Sequence, residues 1–163
     1  MHRMIAFLGL AAVACGSPAA WADVVNGTAA KVPAYQARGA IEIAATGPLA
    51  PSLQGKPVVA RIHADWCSAC KATQSTIDAL RQAYTGKINF VEFDVTNAKT
   101  AAASQEEAEK LGLGKFYEAS KAATSTVAVI NPQNGKIYAT LYNDSNVDDY
   151  KTAINAAMGA EGK

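Results

Sequence analysis

The sequence predicts an α/β domain in which a parallel strand pair and an antiparallel hairpin are combined with helices. Three observations predict it. The middle of the chain reads strand, helix, strand, an order that makes the two strands parallel through a right-handed crossover. A turn cluster at Asn131-Pro132-Gln133-Asn134-Gly135 separates two further strand-like runs, as in an antiparallel hairpin. The 163 residues suit one domain rather than two, and half of them are apolar, so a hydrophobic core can form.

From the start of the chain, residues 1–22 read as a cleavable signal peptide. Arg3 supplies a basic start, Met4 to Cys15 is an apolar run, and Ala20-Trp21-Ala22 matches a small-x-small cleavage site with Asp23 as the new N-terminus. Residues 23–39 carry little periodicity and read as an extended lead-in. The domain is expected over 40–159. Ala40 to Ala44 is a short strand candidate, and Pro48 to Gln54 a short helix candidate. Gly55-Lys56-Pro57 turns into Val58 to Ala64, a mostly apolar run of strand formers suited to a sheet interior. From Cys67 the period becomes helical, with Cys70, Ile77, Leu80 and Tyr84 on one face, and Thr85-Gly86 ends that helix. Ile88 to Val95 is the next strand. Lys99 to Leu111 reads as a helix with Ala102, Ala103 and Leu111 inward and Glu106, Glu107 and Glu109 outward. A second short helix is expected over Lys115 to Lys121. Thr126 to Ile130 and Ile137 to Tyr142 are the hairpin strands. Asn146 can cap a last helix with Val147, Tyr150, Ile154 and Met158 on one face.

Charge narrows the function classes. The net charge is +1, with no basic field for a nucleic acid and no Lys/Arg run for an anionic membrane. After the signal run no apolar stretch is long enough to span a bilayer. Membrane attachment is expected only through Cys15. Val13-Ala14-Cys15-Gly16 is a loose lipoprotein cleavage site, with Ala12 where Leu is usual. Cleavage after Ala22 would instead remove Cys15 and leave Cys67 and Cys70. In an oxidising compartment two cysteines three apart are either a structural disulfide or a redox pair.

Cys67 falls where a strand ends and a helix begins. Unpaired N–H groups and the positive end of the helix dipole at that point favour a thiolate, the reactive species in disulfide exchange. Cys70, one turn on, is placed to attack a mixed disulfide on Cys67. The first cysteine is expected to be exposed as nucleophile and the second more buried as resolver. Other readings remain at this point. Zinc wants four ligands, and His63 is the one histidine left to join the cysteines after cleavage. Covalent haem attachment wants His where Lys71 stands. A structural disulfide over so short a loop constrains little chain entropy.

The segment Lys56-Pro57-Val58-Val59 through Ala64-Asp65-Trp66-Cys67-Ser68-Ala69-Cys70-Lys71 resembles the active-site segment of the thioredoxin superfamily. The likeness extends through Phe90 to Asp94 and the Asn134-Gly135 turn, and covers Ala40 to Met158. It implies a thioredoxin-like fold, a central mixed β-sheet flanked by α-helices, with the nucleophilic cysteine at a helix start. It implies reduction, oxidation or isomerisation of disulfides in protein substrates, with Trp66 packing beside the cysteines and shaping the substrate surface.

Three features depart from the family pattern. The family's buried Asp, six residues before the first cysteine, is Arg61 here. Arg cannot act as a base. It either favours the thiolate, or reaches to solvent or pairs with an acid such as Glu92 or Asp94. The family's cis-proline is replaced by Ser125, or by Thr126 or Val127, since no proline occurs between Pro57 and Pro132. The stretch from Thr96 to Thr124 is longer than the family's usual connection. His63 reads either as a proton relay for the thiols or as a half-buried strand residue.

The expectation is therefore an exported thiol–disulfide oxidoreductase, periplasmic or secreted, monomeric, and free of any metal or dissociable cofactor. It would act on protein thiols and disulfides and be recycled by a redox partner. The competing expectation is a non-catalytic binding module that uses the same fold or holds a metal or cluster on the same cysteines. Ser68-Ala69 matches neither the Gly-Pro pair of reducing thioredoxins nor the Pro-His pair of strong oxidants.

Overall fold

β1 (Val58–His63) is the strand on which the architecture is built. It pairs in parallel with β2 (Asn89–Asp94) on one side and antiparallel with β3 (Thr126–Ile130) on the other. β3 pairs antiparallel with β4 (Ile137–Tyr142), which completes a four-stranded mixed sheet in the order β2-β1-β3-β4. The structure, a computed structural model, describes residues 47–161, all within one compact unit. The expected signal peptide, Cys15, the lead-in and the strand at Ala40–Ala44 lie outside the described residues.

Alternation along β1 sorts its side chains to two faces. Val58, Ala60 and Ile62 join Phe93, Phe116, Tyr117, Leu113 and Ile130 in one core, under α3 (Ala98–Leu111) and α4 (Gly114–Ser120). Val59 faces the other way, with Val127, Val129 and Leu141, against Ile77 and Leu80 of α2 (Gln74–Ala83) and Tyr150 and Ile154 of α5 (Val147–Glu161). Helices on both faces explain why β1 reads as a nearly continuous apolar run. A third, small cluster of Ala64, Cys67 and Cys70 closes the C-terminal end of β1.

The hairpin strands fall where the sequence places them. Four expectations need correction. The helix expected from Cys67 to Tyr84 is two helices, α1 (Ser68–Ala72) and α2, broken at Thr73. The Thr73 hydroxyl donates back to the Ala69 carbonyl at 3.0 Å, the kind of bond that bends helices. The segment expected as a helix over Pro48–Gln54 is a 3₁₀ turn over Pro51–Leu53. In α3, Ala102 and Ala103 are exposed and the inward residues are Ser104 and Ala108. Ser104 can face the sheet because its hydroxyl donates to the Asp94 carbonyl. In α5, Met158 is exposed, and Ala153 and Ala157 fill the buried face beside Tyr150 and Ile154. Among the described residues no helix is long and apolar enough to cross a membrane.

Candidate functional site

The chain leaves β1 at His63 and turns through Ala64-Asp65-Trp66 into α1, with Cys67 as its N-cap. Cys67 and Cys70 are joined as a disulfide with their Cα atoms 5.2 Å apart. Their sulfurs have opposite surroundings. Cys67 Sγ accepts the Cys70 backbone N–H at 2.9 Å. Cys70 Sγ faces the Ile62 carbonyl at 4.0 Å. A donor aimed at Cys67 favours its thiolate, and an acceptor beside Cys70 favours its protonated thiol. Cys70 is fully buried, as expected of the resolver, but Cys67, which was expected to be exposed, is only 4% exposed, because it caps α1 and packs in the small cluster with Ala64 and Cys70.

Trp66 is 63% exposed, and its indole Nε1–H donates to the Thr96 carbonyl at 2.9 Å. The Asp65 N–H donates to the Thr96 hydroxyl, which in turn donates to Asp94. The loop before the cysteines is thereby tied to the loop after β2. The Thr96 hydroxyl, backed by the Thr96 amide and by His63, holds the Asp94 carboxyl below its ordinary range, against a smaller opposing effect of burial.

His63 places Nε2 3.4 Å from Asp65, while its Nδ1 is buried without a partner among the described residues. No hydrogen bond joins His63 to either sulfur among the described residues. Its surroundings are those of a half-buried strand residue paired with a neighbouring acid.

Arg61 is buried beneath the first turn of α1. Nη2 donates to the Cys70 carbonyl, and Nη1 to Gln74 Oε1 and Glu92 Oε2, each at 3.0 Å. Of the readings open for Arg61, reaching to solvent is excluded by its burial and the pairing with Glu92 is present, while the guanidinium also grips the Cys70 backbone.

Ser125 stands where the sequence places the proline substitute. All peptide bonds among the described residues are trans, and Ser125 has φ 67°, in the left-handed region. Its N–H donates to the Ile62 carbonyl at 2.9 Å, the same oxygen that faces Cys70 Sγ. Its hydroxyl meets that of Thr73 at 3.3 Å. Thr126 is buried but turned elsewhere, with its hydroxyl on the Ala123 carbonyl. Val127 pairs with Arg61 in the ladder between β1 and β3.

Sequence reasoning missed Thr73, Gln74 and Thr96. An Asp-x-Thr sequence at a strand end, where the carboxylate can bond the backbone two residues on, was a readable signal for Thr96. Among the described residues no group of three or more His, Cys, Asp or Glu side chains is placed to hold a metal ion.

A Cys-x-x-Cys disulfide at a strand-to-helix junction, on a mixed sheet covered by helices on both faces, is the layout of a thiol–disulfide exchange domain. The thioredoxin family model matches residues 50–136, and the chain belongs to that family. It is 40% identical over 45 residues to the chloroplastic thioredoxin-like protein HCF164 of Arabidopsis thaliana, a match covering 28% of this chain and 17% of that protein. It is 38% identical over 53 residues to a thiol:disulfide interchange protein TxlA homolog of Synechocystis, covering 32% of this chain and 29% of that protein. The matched stretch is thus under a third of either relative. Among solved structures, Fasciola hepatica thioredoxin aligns with a TM-score of 0.43 at 19% identity, over 65% of this chain and 85% of that one.

Proposed function

We propose that this chain is an exported thiol–disulfide oxidoreductase acting on protein substrates. The observation that carries the reading is the unequal setting of the two sulfurs, Cys67 beneath a backbone N–H and Cys70 beside a carbonyl. In the reduced protein the Cys67 thiolate attacks a substrate disulfide and forms a mixed disulfide, releasing one substrate thiolate. Cys70 then gives up its proton and attacks Cys67 Sγ, which frees the second substrate thiol and restores the intramolecular disulfide. Trp66 flanks the point of attack. The names of the relatives support the same chemistry, and the signal read from the sequence at residues 1–22 supports a periplasmic or secreted location. The reading takes the protein as a monomer that needs no dissociable cofactor. A separate redox partner would recycle the pair.

Insulin reduction with a dithiol as electron source tests this reading. The mature protein should accelerate precipitation of the insulin B chain, and Cys70→Ser should accumulate a mixed disulfide on Cys67. A rate no faster than the dithiol alone would overturn the reading and leave a binding module.

A further inference from the structure

Arg61 is 1% exposed and pairs with Glu92. Among the described residues Glu92 is its one carboxylate partner, and the same Glu92 Oε2 also lies 3.0 Å from Arg81 Nη2. Two guanidiniums thus share one carboxylate, and that carboxylate is partly exposed and screened by solvent. Arg81 also lies over the Phe90 ring, 4.2 Å from its centroid. On α2 the neutral amide of Gln74 bonds Arg61, and Asp78 is reached only through that amide. From α5 the nearby titratable group is Tyr150, whose hydroxyl donates to the Asp144 carbonyl and is kept neutral by burial. The Nε–H of Arg61 has no partner among the described residues. Two guanidiniums to one shared carboxylate give the cluster a formal excess of one positive charge, and Arg61 brings it against the Cys70 backbone.

We propose that Arg61 is a positioning residue that sets the redox poise of the Cys67–Cys70 pair: its bond to the Cys70 carbonyl holds an under-neutralised charge beneath α1, and that charge favours the reduced, thiolate-bearing form. This rests on the exchange chemistry above and adds its direction: a stabilised thiolate stabilises the reduced protein and makes the disulfide the stronger oxidant. Arg61 is a fixed cation, which lowers the cost of forming a thiolate without accepting a proton.

The test is the glutathione equilibrium of the mature protein, followed with thiolate absorbance against pH. In that equilibrium two protein thiols lose two electrons and two protons as their S–S bond forms. Glutathione disulfide takes them up as its own S–S bond breaks to two thiols. Arg61→Gln should raise the oxidation constant about tenfold, ~30 mV more negative in potential for two electrons, and move the thiolate titration to higher pH. Arg61→Lys keeps the charge and should stay near wild type. Glu92→Gln removes the shared carboxylate and should shift the potential the opposite way. An unchanged potential in Arg61→Gln would overturn the proposal, as would a Lys variant that shifts as far as Gln. Should Arg61→Gln fail to fold, the partly exposed Glu92 decides by sign: a more oxidising pair supports the proposal, and no shift or the reverse overturns it. Failure of the wild type to reduce insulin would sink the exchange function alone, because the glutathione equilibrium is still read in its absence.

Discussion

Ser125 holds a conformation that disfavours side chains, φ 67° at a buried position. A β-carbon in that region costs about 1–2 kcal/mol, and three bonds hold it there. Its N–H donates to Ile62, its carbonyl accepts from the Asn143 N–H, and its hydroxyl meets Thr73. The proline that the thioredoxin resemblance would place here does not fit this backbone. Proline fixes φ near −65° and has no N–H, so it would leave the Ile62 carbonyl without that donor beside Cys70. Ser125→Pro should destabilise the protein by on the order of 3 kcal/mol in urea unfolding. Ser125→Gly, which relieves the backbone but loses the hydroxyl, should be close to neutral. A proline variant as stable as wild type would show that the loop accepts the family geometry and that Ser125 is not locked. The same contrast explains what a linear reading can find at this scale. Arg61 and Ser125 stand out as wrong residues at family positions. Gln74 and Thr73, which meet them in space, carry no mark in the sequence.

At the scale of elements, legibility followed composition. β3 and β4 were readable because β-branched and aromatic runs flank a strong turn cluster. α3 was readable as a helix but not for its inward face, because alanine carries little directional signal and Ser104 reads as polar until its bond to Asp94 is seen. The break at Thr73 was hidden because a threonine inside a helical period looks ordinary. The link between the β1–α1 loop and the β2–α3 loop was also out of sight, since it joins residues about thirty apart through Thr96. That link has a pH signature. The carboxyl of Asp94 is held below its unfolded value by Thr96. A depressed folded-state value means that its stabilisation is present above the unfolded pKa, ~3.9, and is lost as pH falls through the folded one. Asp94→Asn should therefore be less stable than wild type at neutral pH, with the gap closing below about pH 4. Trp66 fluorescence, which senses the Thr96 end of the tie, should follow. A gap that does not change with pH would mean that the ionised carboxylate is not what holds the two loops together.

Across the whole molecule, the two large cores lie on opposite faces of the sheet, and the disulfide belongs to neither. The sulfurs sit in the small third cluster, past the end of β1. The apolar packing of Phe93, Phe116, Leu80, Leu141 and Ile154 is complete without the S–S bond. The cross-link also spans only three residues of sequence separation. Closing so short a loop removes little freedom from the unfolded chain, at most about 2 kcal/mol in the chain-entropy model. A fold built this way can cycle between disulfide and dithiol without coming apart, which a redox role requires and a structural staple does not. The double variant Cys67→Ser, Cys70→Ser should accordingly keep its far-UV circular dichroism spectrum and lose no more than about 2 kcal/mol in urea unfolding. It should also lose all insulin reduction. Unfolding of the double variant at room temperature would assign the disulfide to the architecture. Retention of both fold and insulin reduction would place the chemistry elsewhere in the chain. The predicted outcome, an intact fold without exchange, is the one in which the sheet and its two cores serve as the frame and the Cys67–Cys70 pair as the moving part.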